Sequence, residues 1–207
     1  AIFSFSADDP AATFECSLNG AAFTTCTSPK TYTGLGEGAH SFHVRATDQA
    51  GNTDPTPAIR SWTVDLTAPA APVITSPPDG TTSNTGSFTV SGMVEAGSVV
   101  EIFDGVTSKG TVSATGGTWS KAFAGVADGS HTYTAIASDS AGNTSAVSNS
   151  RTVIVDTTPP HTSVDSGPAA STNETTATLT FSSSEGGSSF ACRLDGAAFA
   201  SCTSPVS

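Results

Sequence analysis

"GVADGSHTYTAIASDSAGNTS", residues 125–145, repeats the outline of "GLGEGAHSFHVRATDQAGNTD", residues 34–54, at an offset of 91 positions and without a gap. Inside the later copy, "HTYTAIASD" alternates larger and smaller side chains with a period of two and runs into Asp-Ser-Ala-Gly-Asn. That is the pattern of a half-buried strand entering a turn, with Gly and Asn able to take the conformations a tight turn demands. The match continues through Arg60 and Arg151 to Asp65 and Asp156, where "VDLTAP" and "VDTTPP" close the two units.

A second self-match lays residues 1–31 on residues 177–207, an offset of 176. Phe5 meets Phe181, Phe14 meets Phe190, and "FECSLNGAAFTTCTSP" (14–29) meets "FACRLDGAAFASCTSP" (190–205). Fixed-period self-similarity is the signature of repeat architecture. The chain reads as three modules of two alternating types. Residues 1–66 are a Cys-stapled module lacking its first strand. Residues 67–156 are a complete Cys-free module, and residues 157–207 are the N-terminal part of a third, again Cys-stapled. Ends that fall inside modules suggest a piece of something longer.

In the middle module, "APVITSP", "SFTVSGMVE", "SVVEIFDG", "GTVSA", "TWSKAF", "HTYTAIASD" and "SNSRTVIVD" read as strands, with "PPDGTTSNTG" as a turn. About seven short strands in about 90 residues suit a two-sheet antiparallel sandwich. No segment carries a helical period. Composition agrees: 12% charged and 7% aromatic residues leave a chain of small and β-branched side chains. The net charge of −11, with only seven Lys and Arg, argues against nucleic acid and anionic membrane surfaces, which need clustered cations. No apolar run reaches membrane-spanning length and no signal peptide is visible, so export and anchoring signals are expected outside these residues.

All four cysteines sit in the repeated cassette, Cys16 with Cys26 and Cys192 with Cys202. No Cys-x-x-Cys is present and no His lies nearby to complete a zinc site, so two local disulfides are the better reading. Disulfides place the chain outside the cytoplasm. The cassette itself reads as a β-hairpin with Asn19-Gly20 or Asp195-Gly196 at the tip, and with Phe14, Phe23, Phe190 and Phe199 turned toward a core.

Gly-x-x-x-Gly-x-His-x-Phe/Tyr, then Asp-x-Ala-Gly-Asn, then Val-Asp-x-Thr-x-Pro resembles the tandem bacterial immunoglobulin-like repeats of large secreted adhesins and surface proteins. The resemblance covers essentially the whole chain. It implies an all-β fold of tandem Ig-like antiparallel β-sandwiches arranged as an extended rod, an extracellular or cell-surface location, and often calcium at module junctions. In such adhesins, aspartates like Asp65 and Asp156, which end the last strand directly before the linker, help hold the ion.

From the residues themselves, two readings of these aspartates stand side by side. Asp48 and Asp139 open "DQAGN" and "DSAGN", where a carboxylate serves a turn by accepting backbone hydrogen bonds. Alternatively Asp48 pairs with Asp65, and Asp139 with Asp156, around calcium, with carbonyls completing its shell. His40 and His131 share one repeat position and read as a structural corner; His43 and His161 show no partner pattern. Trp62 and Trp119 read as core. The sequons at Asn143 and Asn173 are weak signs of glycosylation. No nucleophile elbow, zinc-protease helix or phosphate loop occurs, so no catalytic residue is assigned and the chain reads as non-enzymatic.

Function follows as a structural stalk or fibre segment of a long bacterial surface protein, partnered by neighbouring copies of the repeat. Two rivals are a filament subunit joined head to tail by strand complementation, and an adhesive or carbohydrate-binding module.

Overall fold

The computed structural model describes all 207 residues and contains strands but no helix. Residues 1–66 hold β1 (Ile2–Phe3), β2 (Thr13–Leu18), β3 (Thr24–Cys26), β4 (Lys30–Thr31), β5 (Gly38–Thr47) and β6 (Ala58–Val64). One antiparallel sheet runs in the order β3-β2-β5-β6, and β1 pairs with β4 across from it. Alternation along β5 turns Phe42 and Val44 inward, where they join Cys16 and Cys26 in a small core. Phe3, Phe5, Phe14, Tyr32 and Trp62 close around that core.

Residues 67–156 hold β7 (Val73–Ser76), β8 (Thr81–Ser83), β9 (Phe88–Met93), β10 (Val99–Asp104), β11 (Thr107–Ser113), β12 (Thr118–Phe123), β13 (Gly129–Ser138) and β14 (Arg151–Val155). A five-stranded sheet, β11-β10-β13-β14-β8, faces a three-stranded one, β12-β9-β7. The core between them contains Ile74, Val90, Val100, Ile102, Trp119, Tyr133, Ala135, Val153 and Val155. Full burial of each Val or Ile contributes about 1.5–3 kcal/mol, so this module rests on its own interior. Eight strands form where sequence reading gave seven. The extra one, β8, lies within the stretch read as a turn and pairs parallel to β14, Thr81 facing Val153. Its "TTS" has no apolar alternation to betray it, because it is held by backbone bonds at a sheet edge.

Gly92 is dictated by packing. A Cβ there would lie 2.0 Å from the Val73 carbonyl oxygen and 3.0 Å from the Trp119 ring. The close approach of β7 to β9 and the seat of Trp119 both depend on its absence.

The two module types are the same frame filled differently. Val44 of β5 faces Cys16, whereas Ala135 of β13, 91 residues on, faces Ile102. Cys16 therefore stands where the other type has a fully buried isoleucine. Cys26 faces Phe14 as Val112 faces Val100, so the disulfide replaces an aliphatic contact across the same hairpin.

Residues 157–207 hold β15 (Thr162–Ser166), β16 (Thr180–Ser183), β17 (Phe190–Cys192) and β18 (Ala200–Cys202), paired as β15-β16 and β17-β18. Phe181 is the one buried residue of this stretch. β2 carries β5 on its second edge, but β17 has no strand there.

Candidate functional site: module junctions and their acids

Asp48 and Asp139 each close their turn in the same way. Asp48 Oδ1 accepts from the Asn52 backbone N–H and Oδ2 from Asn52 Nδ2, both at 2.8 Å. Asp139 Oδ1 accepts from the N–H groups of Ala141 and Asn143 at 2.9 Å, and Oδ2 from Asn143 Nδ2 at 2.8 Å. The side-chain amide of Asn52 or Asn143, followed by backbone donors, holds both carboxyls below the usual carboxylate range.

Asp65 and Asp156 stand elsewhere. Each accepts from the N–H two residues on: Thr67 to Asp65 at 3.0 Å, Thr158 to Asp156 at 3.2 Å. The pairs expected around calcium, Asp48 with Asp65 and Asp139 with Asp156, are not formed. Gly38 faces Val64 and Val44 faces Ala58, so Asp65 lies past one end of the β5–β6 ladder and Asp48 past the other. The β13–β14 ladder, with Gly129 facing Val155 and Tyr133 facing Arg151, separates Asp139 from Asp156 likewise. No group of three or more His, Cys, Asp or Glu gathers anywhere to hold an ion. A calcium shell of six to eight oxygens is thus not assembled by these residues as pairs.

What the structure does bring together is the turn of one module and the end of another. Asn143 Nδ2 also donates to the Asp65 carbonyl oxygen at 3.0 Å. Two further acids, absent from the sequence reading, fix the linkers. Glu37 Oε2 accepts from the Leu66 N–H at 2.6 Å. Asp128, at the matching position, accepts from the Thr157 N–H (2.9 Å) and hydroxyl (2.7 Å), and from the Thr158 hydroxyl (3.0 Å). These contacts, the Thr157 hydroxyl foremost, lower the Asp128 pKa. The signal was present in Gly-x-x-acid-Gly, where Glu37 and Asp128 keep their charge across the offset. Pro69 and Pro72 of the first linker are buried against the fold.

The repeated histidines are structural corners with unlike partners. His40 Nε2 bonds the Gly36 carbonyl at 2.8 Å and its Nδ1 meets Asn19 Nδ2 at 3.0 Å. His131 Nε2 bonds the Ala127 carbonyl at 3.0 Å, but its Nδ1 meets the Asp104 carboxylate at 2.8 Å. Lys109 reaches the same carboxylate at 3.4 Å. The bond to Asp104 raises the His131 pKa. Burial, with the Asp104 charge, pushes the neighbouring Tyr133 hydroxyl up to about 12.

Both cysteine pairs are disulfide-bonded and no thiol is free. Trp119 is core, while Trp62 is half-buried, stacked on His40 with ring centroids 5.5 Å apart. Phe23 lies under the Arg45 guanidinium at 4.2 Å, and Phe199 is exposed beneath Arg193 at 4.9 Å. These two phenylalanines flank the hairpin, where an arginine covers them instead of a core.

The middle unit is an immunoglobulin-like sandwich by its strand order. Its residues 75–157 match the family model described as the bacterial Ig-like domain. No curated protein matches the chain. Among solved structures, the chain is similar to the fibronectin(III)-like modules of Clostridium thermocellum CbhA, with 17% identity, a TM-score of 0.48, and 73% of this chain and 82% of that one covered. It is also similar to a tetra-tandem repeat in the extending region of a large adhesion protein, with 19% identity and a TM-score of 0.38, over 83% of this chain and 48% of that one. A third is the structure of a 1.5-MDa bacterial ice-binding adhesin, with 20% identity and a TM-score of 0.34, over 74% of this chain and 56% of that one. The chain spans about half the length of the two adhesin structures.

Proposed function

We propose that the chain is a non-enzymatic spacer segment of an extracellular bacterial surface protein, with modules 1–66, 67–156 and 157–207 set end to end as a rod. The acid clamps on the linkers carry this reading: Glu37 on Leu66 and Asp128 on Thr157 and Thr158 recur at one repeat position and fasten each exit strand to its module. Fastened, proline-containing joints favour stiffness over a flexible string. The two disulfides support an oxidising location. Asp48, Asp65, Asp139 and Asp156 serve as turn and linker anchors.

Small-angle X-ray scattering of the 207-residue chain tests the rod. Modules about 35–40 Å long, set end to end, give a rod of about 100 Å and a radius of gyration of about 30 Å. A compact body of this length gives about 17 Å, and that result would overturn the proposal. Glycan adhesion has one observation in its favour. Trp62 and His40 line an open concavity of about 540 Å³ with Asn19, Ser41, Ser61 and Thr63. A glycan array blank for the native chain removes it.

A further inference from the structure

We infer that Lys121 guards the open edge of residues 67–156: its charge, turned inward on β12, keeps a second copy of the chain from adding a strand there. The backbone of an edge strand is a template for any extended chain that meets it. Residues 67–156 have four such strands, β7 and β12 in one sheet, β8 and β11 in the other.

Three of the four are visibly blunted. On β7, Asn149 does what a neighbouring strand would do. The Ile74 N–H donates to its Oδ1 at 2.8 Å, and its Nδ2 donates to the Ile74 carbonyl at 3.1 Å. β8 is only three residues long. β11 is bulged: Lys109 and Gly110 stand against Ile102 alone, with Gly110 in the left-handed region at φ 91°. Short edges and bulges both discourage pairing with another chain.

β12 has neither device. Its ladder to β9 runs through six residue pairs, from Thr118 facing Met93 to Phe123 facing Phe88, without a shift. Beyond that ladder the backbone of Trp119–Phe123 makes no hydrogen bond, so the far side of the strand is open. What β12 does have is one charge. Trp119 and Phe123 pack in the core, and Lys121 stands between them on the same face, opposite the fully buried Val90. Lys121 is half-buried, with no acid in ion-pair reach. Its Nζ lies 3.6 Å from where a Cβ of Gly110 would be. The ammonium thus sits at the mouth between the two edge strands, the stem packed inside and the head kept in water.

A strand added to β12 would lay its own side chains across that mouth. It would strip the ammonium of water and offer no acid in return, which is costly. If two β12 edges paired antiparallel, both lysines would come to one face and repel. The chain repeats its sandwich frame, and linked copies of like edges meet at high effective concentration, where such a guard matters most.

Sedimentation equilibrium from about 1 µM to about 1 mM compares the native 207-residue chain with Lys121→Val, Lys121→Arg and Lys121→Glu. The valine chain is expected to associate at least about tenfold more tightly than the native one. Its net charge moves further from zero than −11, so the gain runs against electrostatics. Lys121→Arg and Lys121→Glu keep a charge at the mouth and are expected to associate no more than the native chain. Near-UV circular dichroism of Trp119 checks that each variant is folded, and Lys121→Thr repeats the test if valine disturbs the interior. Amide hydrogen exchange locates the contact: Trp119–Phe123 should gain protection in the associated valine or threonine chain. An uncharged variant as monomeric as the native chain overturns the proposal. So does association without new protection in β12, or charged variants that associate as the valine chain does. Rod shape is read on dilute monomer, so it stands or falls separately.

Discussion

At the scale of the residue, one repeat position carries two different electrostatic environments. His131 bridges the Ala127 carbonyl and the Asp104 carboxylate, with Lys109 on the same acid and Tyr133 beneath the ring; His40 bridges a carbonyl and a neutral amide. Because Asp104 raises the His131 pKa, the bond stabilises the fold in full below the usual histidine value of about 6.5. That contribution is lost as pH rises through the higher folded value. Thermal melts of the native chain between about pH 6 and pH 8 should show the transition of residues 67–156 falling with pH, and Asp104→Asn should flatten it. A flat native profile would show that Asp104 does not hold the proton. Gly92 gives a second expectation. With the Val73 carbonyl oxygen 2.0 Å from where a Cβ would be, Gly92→Ala has no room, and urea denaturation should show a loss of about 1–3 kcal/mol or more.

At the scale of the element, the hairpin explains why cysteines alternate between modules. Cys16 and Cys26 occupy the places of Ile102 and Val112, so a covalent staple stands in for aliphatic packing. Replacing both by serine removes a constraint on a loop of about ten residues, worth about 2–3 kcal/mol, and also buries two hydroxyls. The double change Cys16→Ile with Cys26→Val should recover part of that loss, because it installs the packing of the other module type. Melting curves of the three chains rank them, and a serine pair as stable as the isoleucine–valine pair would sink the equivalence. Strands such as β5 and β13 were legible because one buried face imposes a period of two on ten residues. β8 was not, since three polar residues held at an edge by backbone bonds leave no side-chain record. Phe23 and Phe199 misled for the opposite reason: an arginine can cover an aromatic ring that the sequence marks only as apolar. The acids of the candidate site were partly legible. Spacing located Asp48 and Asp139 in their turns, and the repeat kept an acid at Glu37 and Asp128, but which carboxylate meets which linker amide depends on where a strand ends and emerges only from the ladder register.

At the scale of the whole molecule, the junction of the first two modules is held by groups from both sides. Asn143 is shared between its own Asp139 and the Asp65 carbonyl, so a turn of residues 67–156 is tied to the last strand of residues 1–66. Asn143→Ala should leave each sandwich folded, judged by near-UV circular dichroism, but broaden the distribution of maximum dimensions in scattering. The same geometry bears on calcium. A cation at this junction would have to draw on Asp139, whose two oxygens already accept three bonds from its own turn, and on an Asp65 whose carboxylate serves Thr67. Binding to the folded state alone raises stability in proportion to the logarithm of ligand over Kd. Millimolar calcium is therefore expected to leave Tm within about 1 °C of its value in chelator, since an ion here would have to displace the bonds that Asp139 accepts from its own turn. A rise of several degrees, lost in the Asp139→Asn chain, would show that the turn opens to take an ion, and the acids would then be ligands before they are anchors.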